Sequence, residues 1–278
     1  MRQTNTPIFV SSVFKSGTWL IRKIITDLTG LPAIEPTIKP GFMDPCDPEY
    51  VYYTPGYYYS WHFVPTKEIR EKIIRHHGKP VFLIRNIYDL VVSMYYHFAG
   101  NIDADIGRGA NVDQYFSTVS KQDGMNAVVI GRDAKGFRWS GIGPHISQME
   151  QMLLFAQTYP CFITTYERLN LQKKEELIRL SEFLEYPITN AEVDIIMQSS
   201  SFNTMKAEAI QKNAGSHFRN GKIKSHVDEL NDDHIKNIDR ELSIYAPRLQ
   251  KLITEFGLNE ILELDQLGND DCVNMLPG

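Results

Sequence analysis

Lys15, Ser16, Gly17 and Thr18 stand between a β-branched apolar run, Ile8 to Val13, and an amphipathic stretch that continues to Leu28. A strand, a tight turn and a helix in that order form a phosphate cradle. Gly17 permits the turn, successive backbone N–H groups face one concavity, and the helix N-terminus adds a favourable dipole. Lys15 contributes a full positive charge. The lysine precedes the glycine, so the nucleotide-kinase order Gly-x-x-x-x-Gly-Lys-Ser/Thr is absent. Further along, Arg85 leaves the apolar run Val81 to Ile84, and Ser93 follows inside the next helical pattern. An arginine fork and a hydroxyl near a helix start suit a phosphomonoester, because both donate hydrogen bonds and the charge is fixed. His62, in Trp61-His62-Phe63-Val64-Pro65, ends an aromatic run. From its residue type and neighbours alone it is either a packed core histidine or a proton acceptor.

The elements that must position these groups follow from periodicity and capping. Strands are expected at 7–13, within 50–61, at 80–84 and at 161–165. Helices are expected at 18–29, from Pro65 to about His77, and at 88–99, 144–157, 172–185, 189–199 and 231–256, the last interrupted at Pro247. Gly30 and Gly78 close two of them, and Thr189 with Glu192 has capping-box spacing. Residues 100–142 read as irregular apart from a helix near 112–121. Short apolar strands alternating with helices predict an α/β fold, a single domain with a central parallel β-sheet flanked by helices. Ligands bind such sheets at the carboxyl ends of the strands. Lys15, His62, Arg85 and Tyr166 each fall at or just past such an end.

The Lys-Ser-Gly-Thr segment resembles the 5′-phosphosulfate loop of sulfotransferases that use 3′-phosphoadenosine 5′-phosphosulfate (PAPS). Five further segments are similar to that family and stand along the chain in its order. Arg85-Asn86-Ile87-Tyr88-Asp89 through Ser93 resembles its 3′-phosphate element, with Ile87 in the place of a proline. His62 stands where the family places its catalytic base, before Pro65. Tyr166-Glu167-Arg168-Leu169 is similar to the segment whose tyrosine reaches the adenine. Ser201-Phe202 with Met205 is similar to the segment whose phenylalanine stacks on the base, and Arg219-Asn220-Gly221 to the loop that closes over the 3′-phosphate.

The resemblance implies a P-loop-like phosphosulfate-binding loop and PAPS as co-substrate, with adenosine 3′,5′-bisphosphate (PAP) as product and no metal. It implies His62 as general base and Lys15 stabilising the leaving phosphate. The implied co-substrate contacts are Lys15, Ser16, Gly17, Thr18 and Trp19 in the first loop and Arg85 and Ser93 in the second. Tyr166, Ser201, Phe202, Arg219, Asn220 and Gly221 complete them. Two departures stand out: Trp19 directly follows Thr18 where the family has a second threonine, and, without a gap, Leu20 takes the place of its adenine-stacking tryptophan. The family's dimerisation segment has no counterpart around Lys224 to His234, so no oligomeric state carries over.

Composition bounds the rest. The 278 residues carry 34 acids, 29 bases and a net charge of −5. Residues 259–278 hold Glu260, Glu263, Asp265, Asp270 and Asp271 without Lys or Arg, so the expected domain, 1–258, is close to neutral and precedes an acidic tail. A general nucleic-acid-binding surface is not expected. Cys46, Cys161 and Cys272 offer neither a disulfide framework nor zinc spacing. With no apolar run near the length of a membrane span and no leader pattern, a cytoplasmic protein is expected. The acceptor is expected to be a small molecule, and the tyrosines at 50, 52, 53, 57, 58 and 59 favour an aromatic or hydrophobic alcohol. Two other classes compete: an adenine-nucleotide phosphotransferase and a catalytically silent PAP- or PAPS-binding protein.

Overall fold

A computed structural model describes residues 6–36, 44–100, 112–134, 137–211 and 221–263. The chain opens with β1 (Ile8–Ser12), α1 (Thr18–Thr29), β2 (Ala33–Ile34), β3 (Tyr58–Trp61), α2 (Lys67–Arg75) and β4 (Lys79–Ile84). It continues with α3 (Ile87–Ala99), α4 (Val112–Thr118), α5 (Lys121–Ile130), β5 (Arg132–Ala134), β6 (Phe137–Trp139) and α6 (Gly143–Ala156). Then come β7 (Phe162–Thr165), α7 (Tyr166–Leu171), α8 (Lys173–Leu184), α9 (Asn190–Ser199), α10 (Phe202–Gln211), α11 (Asp232–Tyr245) and α12 (Leu249–Glu255).

Five strands form one sheet in the order β2-β3-β1-β4-β7, and each neighbouring pair in it is parallel. Period-two alternation divides the core. Phe9, Tyr59, Phe82 and Ile84 face a cluster that includes Ile69 and Ile73 of α2, Leu90 and Val91 of α3 and Met149 of α6. Ile8, Val10, Tyr58, Val81 and Leu83 face the opposite cluster, with α1, α8 and α9. Helix α1 shows why the sequence sorts this way: Leu20, Ile21, Ile24, Ile25 and Leu28 fall on one stripe and are buried, each side chain contributing roughly 1.5–3 kcal/mol on full burial. The chain thus leaves β1 toward one face and leaves its neighbours β3 and β4 toward the other, which opens a crevice at the carboxyl edge.

Several expectations needed correction. Residues 121–130 form a helix, α5, where irregular chain was expected, and β5 and β6 form an antiparallel hairpin after it. Gly124, which interrupts the helical pattern of α5, is where the ring of Tyr95 packs: an added Cβ would lie 2.8 Å from Tyr95 Cε2. The aromatic run yields only a four-residue strand, β3. Tyr58 and Tyr59 are core residues on opposite faces rather than pocket walls. At the far end, the first residues of the acidic segment pack on the body: Ile261 is buried and Glu260 pairs with Arg168 at 2.6 Å. Among the described residues, no helix is long and apolar enough to cross a membrane.

Gly78 joins α2 to β4, and a Cβ there would lie 2.5 Å from Phe9 Cε2 and 3.2 Å from Ile73 Cγ2. Phe9 is fully enclosed and cannot swing aside. Gly78→Ala is therefore expected to destabilise the protein by about 1–3 kcal/mol, read as a lower urea midpoint with an unchanged m-value. An unchanged midpoint would show that this packing is looser than described.

Candidate active site

The loop after β1 is held in an unusual backbone conformation. Lys15 has φ +68° and Gly17 φ +100°, both left-handed. For Lys15 this is strained by roughly 1–2 kcal/mol. Gly17 has no alternative residue, since a Cβ there would also meet Tyr166 Cδ2 at 2.7 Å. The turn closes through Ser16 N donating to the Val13 carbonyl at 3.0 Å, and Arg85 Nη1 donates to the Lys15 carbonyl at 3.1 Å. Ser16 Oγ is buried without a hydrogen-bond partner. Thr18 opens α1, and its Oγ1 lies 2.7 Å from Ser12 Oγ.

Arg85 is 7% exposed at the end of β4. Its Nη2 donates to the Lys222 carbonyl at 3.2 Å and lies 3.9 Å from Asp89 Oδ2, while its guanidinium stacks 4.4 Å from the centroid of Tyr166. Its Nε is buried and unpartnered. Asn86 caps α3, accepting from Tyr88 N at 3.0 Å and Asp89 N at 3.1 Å. Ile87 then occupies the first helical position, where a backbone N–H has no intrahelical acceptor and proline is tolerated. The exchange of proline for isoleucine leaves the cap intact.

Asp89 fastens the segment after Gly221. It accepts from Lys224 N at 2.6 Å, His226 N at 2.9 Å and His226 Nδ1 at 3.0 Å. Burial works against its charge, but the His226 bonds and the Arg85 guanidinium outweigh that and hold the carboxyl below the usual range. Tyr166 donates from its hydroxyl to the Gly221 carbonyl at 3.1 Å, and burial pushes that hydroxyl's pKa up. Gly221 itself has φ +65°, and a Cβ on it would sit 2.5 Å from the Phe202 ring. Ser201 Oγ accepts from Thr204 N at 3.3 Å and so starts α10, a helix not expected from the sequence.

His62 follows β3. Its Nδ1 is 2.7 Å from the Ser12 carbonyl oxygen, which can only accept, so Nδ1 carries the proton and the neutral ring's lone pair is on Nε2. Gln148 of α6 braces this strand end, its Nε2 donating to the His62 carbonyl at 3.0 Å and the Phe63 carbonyl at 3.1 Å. Phe14 lies edge-on to His62, with centroids 5.9 Å apart, and stacks on His145 at 6.1 Å. His145 in turn stacks on Trp139 at 5.3 Å. Among the described residues, Trp61 lies 5.4 Å from the His62 ring, and Phe14, His145 and Trp139 extend an aromatic surface from it.

The structure therefore brings Lys15, Ser16, Gly17, Thr18, His62, Arg85 and Tyr166 to one edge of the sheet, with Gly221 and Phe202 against Tyr166. Leu20 is buried in the core beneath α1, whereas Trp19 is 47% exposed. Ser93 sits on α3, but the ammonium of Lys15 lies against His97, one turn further on. Arg219 and Asn220 lie outside the described residues. Sequence reasoning missed Asp89, Gln148 and the part played by His97 and His145. The spacing of His97 from Ser93, four residues on one face of α3, was the available signal for His97, and for Asp89 it was the placement in the first turn of the helix that follows Arg85. His226 and His234 are both buried.

Glu167 is 7% exposed, accepts from Asn86 N at 3.2 Å through Oε1 and has a buried, unpartnered Oε2. Burial is the main cause that pushes its pKa up to about 7, against the pull of Arg85. A carboxyl raised in this way keeps its proton in the folded state while the unfolded chain has lost it. Stability therefore falls as pH rises from the ordinary glutamate range through about 7. Glu167→Gln is expected to match the wild type within about 1 kcal/mol at pH 5 and to exceed it by roughly 3 kcal/mol at pH 8. Chemical denaturation at the two pH values checks this, and a gap that does not change with pH would refute it.

Comparison with known proteins places this geometry. The family model described as "Sulfotransferase domain" matches residues 58–252, from β3 into α12. No curated protein matches the sequence. Among solved structures, mouse sulfotransferase SULT7A1 complexed with PAP superposes with a TM-score of 0.64 at 14% identity, covering 92% of this chain and 90% of that one. Retinol dehydratase in complex with retinol and PAP gives 0.57 at 13% identity, covering 88% and 84%. The same enzyme with androsterone and PAP gives 0.56 at 13% identity, covering 96% and 84%. Those structures share the fold. Together with the family model, which spans most of the sheet and its flanking helices, they lead to one assignment: the chain belongs to the sulfotransferase domain family.

Proposed function

We propose that the chain transfers the sulfuryl group of PAPS to a hydroxyl, or an amine, of a small molecule and releases PAP. The observation that carries this reading is the adjacency of two phosphate-type sites: Arg85 is hydrogen-bonded to the carbonyl of Lys15 itself. One cleft can then hold both ends of a doubly phosphorylated adenosine. Two features fit an anion there, namely the buried donors Ser16 Oγ and Arg85 Nε, which have no partner among the described residues, and the backbone approach that Gly17 allows. Lys15, Ser16, Gly17 and Thr18 are assigned to the 5′ end and Arg85 and Ser93 to the 3′-phosphate, to which the family resemblance adds Arg219 and Asn220. Tyr166, Ser201, Phe202 and Gly221 serve the adenosine, with Trp19 at the exposed start of α1. Base stacking of this kind contributes roughly 1–3 kcal/mol.

PAPS supplies the activated sulfuryl group. As the acceptor oxygen bonds to sulfur, the bond from sulfur to the bridging oxygen of the 5′-phosphate breaks and its electron pair stays on that oxygen. His62 Nε2 takes the acceptor proton, its ring already oriented by the Nδ1 bond to the Ser12 carbonyl. Lys15 neutralises the charge that develops on the bridging oxygen. The aromatic wall of Phe14, His145 and Trp139 suits a hydrophobic or aromatic alcohol. The retinol and androsterone held by retinol dehydratase are apolar ligands on the same fold, which supports that choice.

Two measurements test the reading. PAP at a hundredfold excess over its Kd should stabilise the protein by about 2.7 kcal/mol, and AMP at the same concentration should do far less because Arg85 recognises the 3′-phosphate. Equal melting shifts would remove the 3′-phosphate assignment and favour an adenine-nucleotide phosphotransferase. Separately, His62→Asn retains a donor for the Ser12 carbonyl but lacks the base. It should lower kcat with labelled PAPS by about 10²- to 10⁴-fold while the PAP shift persists. A variant that loses PAP binding as well would make His62 structural.

A further inference from the structure

Lys15 has a neighbour that the phosphosulfate loop alone does not explain. Its Nζ lies 3.4 Å from His97 Nδ1 and 5.8 Å over the Phe14 ring. His97 is 2% exposed, on the buried side of α3. The Phe14 ring stands edge-on to His97, with centroids 5.1 Å apart, and edge-on to His62 at 5.9 Å. The lysine, this histidine and the proposed base are therefore gathered around one phenylalanine ring.

The proton inventory of the contact has one solution. An ammonium donates and never accepts, so His97 Nδ1 must carry the lone pair and Nε2 the proton. This is the opposite tautomer from His62, whose Nδ1 donates to a carbonyl. The difference suits two roles. A carboxylate facing Lys15 in so enclosed a place would form an ion pair that opposes any movement of the ammonium. A neutral imidazole contributes a long hydrogen bond, which can be exchanged for a stronger interaction with a phosphate oxygen that is gaining charge.

The geometry points to His97 as a positioning residue, its Nδ1 the resting partner of the Lys15 ammonium and the group that sets the direction from which the lysine reaches the leaving oxygen. The contact stands on its own distances, and its catalytic consequence rests on the role proposed for Lys15 above. His97 acts through the lysine and needs no contact with either substrate.

Two arms of one experiment separate these levels. Ring-nitrogen NMR of ¹⁵N-labelled protein is expected to show His97 with its proton on Nε2, and Lys15→Met is expected to shift that tautomer balance because the donor to Nδ1 is gone. A His97 signal indifferent to Lys15→Met overturns the contact, whatever reaction the protein catalyses. In the kinetic arm, with PAPS saturating, His97→Leu is expected to lower kcat about tenfold, equivalent to about 1.4 kcal/mol, while PAP stabilisation is retained. His97→Gln, whose side-chain carbonyl can accept from the ammonium, is expected to recover most of the loss. Equal losses in the Leu and Gln variants, or an effect confined to the acceptor KM, overturn the positioning role. If the wild type turns over no acceptor while Lys15→Met still moves the His97 resonances, the contact is supported and the sulfotransfer reading is what fails.

Discussion

A guanidinium buried at the end of β4 has to be satisfied by whatever surrounds it, and the arrangement of the site follows from how Arg85 is satisfied. Leaving such a charge uncompensated in the interior costs several kcal/mol. Arg85 meets the requirement with two backbone carbonyls from distant segments, those of Lys15 and Lys222, and with the ring of Tyr166. The loop after β1, the first turn of α3 and the segment following Gly221 are thereby held to one another. The donation to the Lys15 carbonyl also falls on a residue with positive φ. One hydrogen bond offsets the strain at Lys15 and fixes the distance between the two proposed anion-binding ends.

The sheet makes that arrangement possible. β1, β3, β4 and β7 are parallel and in register at their carboxyl ends, with Ser11 beside Trp61, Ser12 beside Leu83 and Ile84 beside Thr165. Four chain segments therefore emerge side by side. Their first residues (Lys15 a few positions later) supply an ammonium, an imidazole, a guanidinium and a phenol from strands about 5 Å apart. The imidazole is the best braced of these. Ser12 fixes its tautomer through the backbone, and Gln148 satisfies the carbonyls of His62 and Phe63 from the far side.

The parts of this that could be read in the sequence were those fixed by local chemistry. α1 begins at Thr18 and ends at Gly30 as its periodicity and left-handed cap dictate, and Thr189 with Glu192 forms the capping box that its spacing announced. The strand-end positions of Lys15, His62, Arg85 and Tyr166 followed from short apolar runs alone. What was not legible depended on tertiary contacts. α5 contains a glycine where a helix former would be expected, and the rings of Tyr95 and Phe116 packed there explain it. The fates of Trp19 and Leu20 turned on helix phase: starting α1 at Thr18 puts Leu20 on the apolar stripe and Trp19 off it. The tyrosines before His62 read as a pocket because their alternation could not say which face held the core. His145 gave no sequence signal, because its stacking partners Phe14 and Trp139 are far from it in the fold's connectivity or come from another element.

Two carboxyls close to Arg85 show how the cleft sets its own charge. Asp89 is held ionised by His226 and Arg85, whereas Glu167, buried with one unpartnered oxygen, has its pKa pushed up to about 7. Neighbouring environments that drive like groups apart are a way to fix protonation states near neutral pH. Here the effect is that one full negative charge and only part of a second face the guanidinium. Asp89 spends its acceptor capacity on the Lys224 and His226 backbone and on the His226 ring, so it fastens the strap without fully covering Arg85. The Nε edge of the arginine is left as an unsatisfied buried donor. A phosphate dianion placed there would complete the guanidinium's hydrogen bonding and, like the Asp89 charge, would favour the protonated form of Glu167.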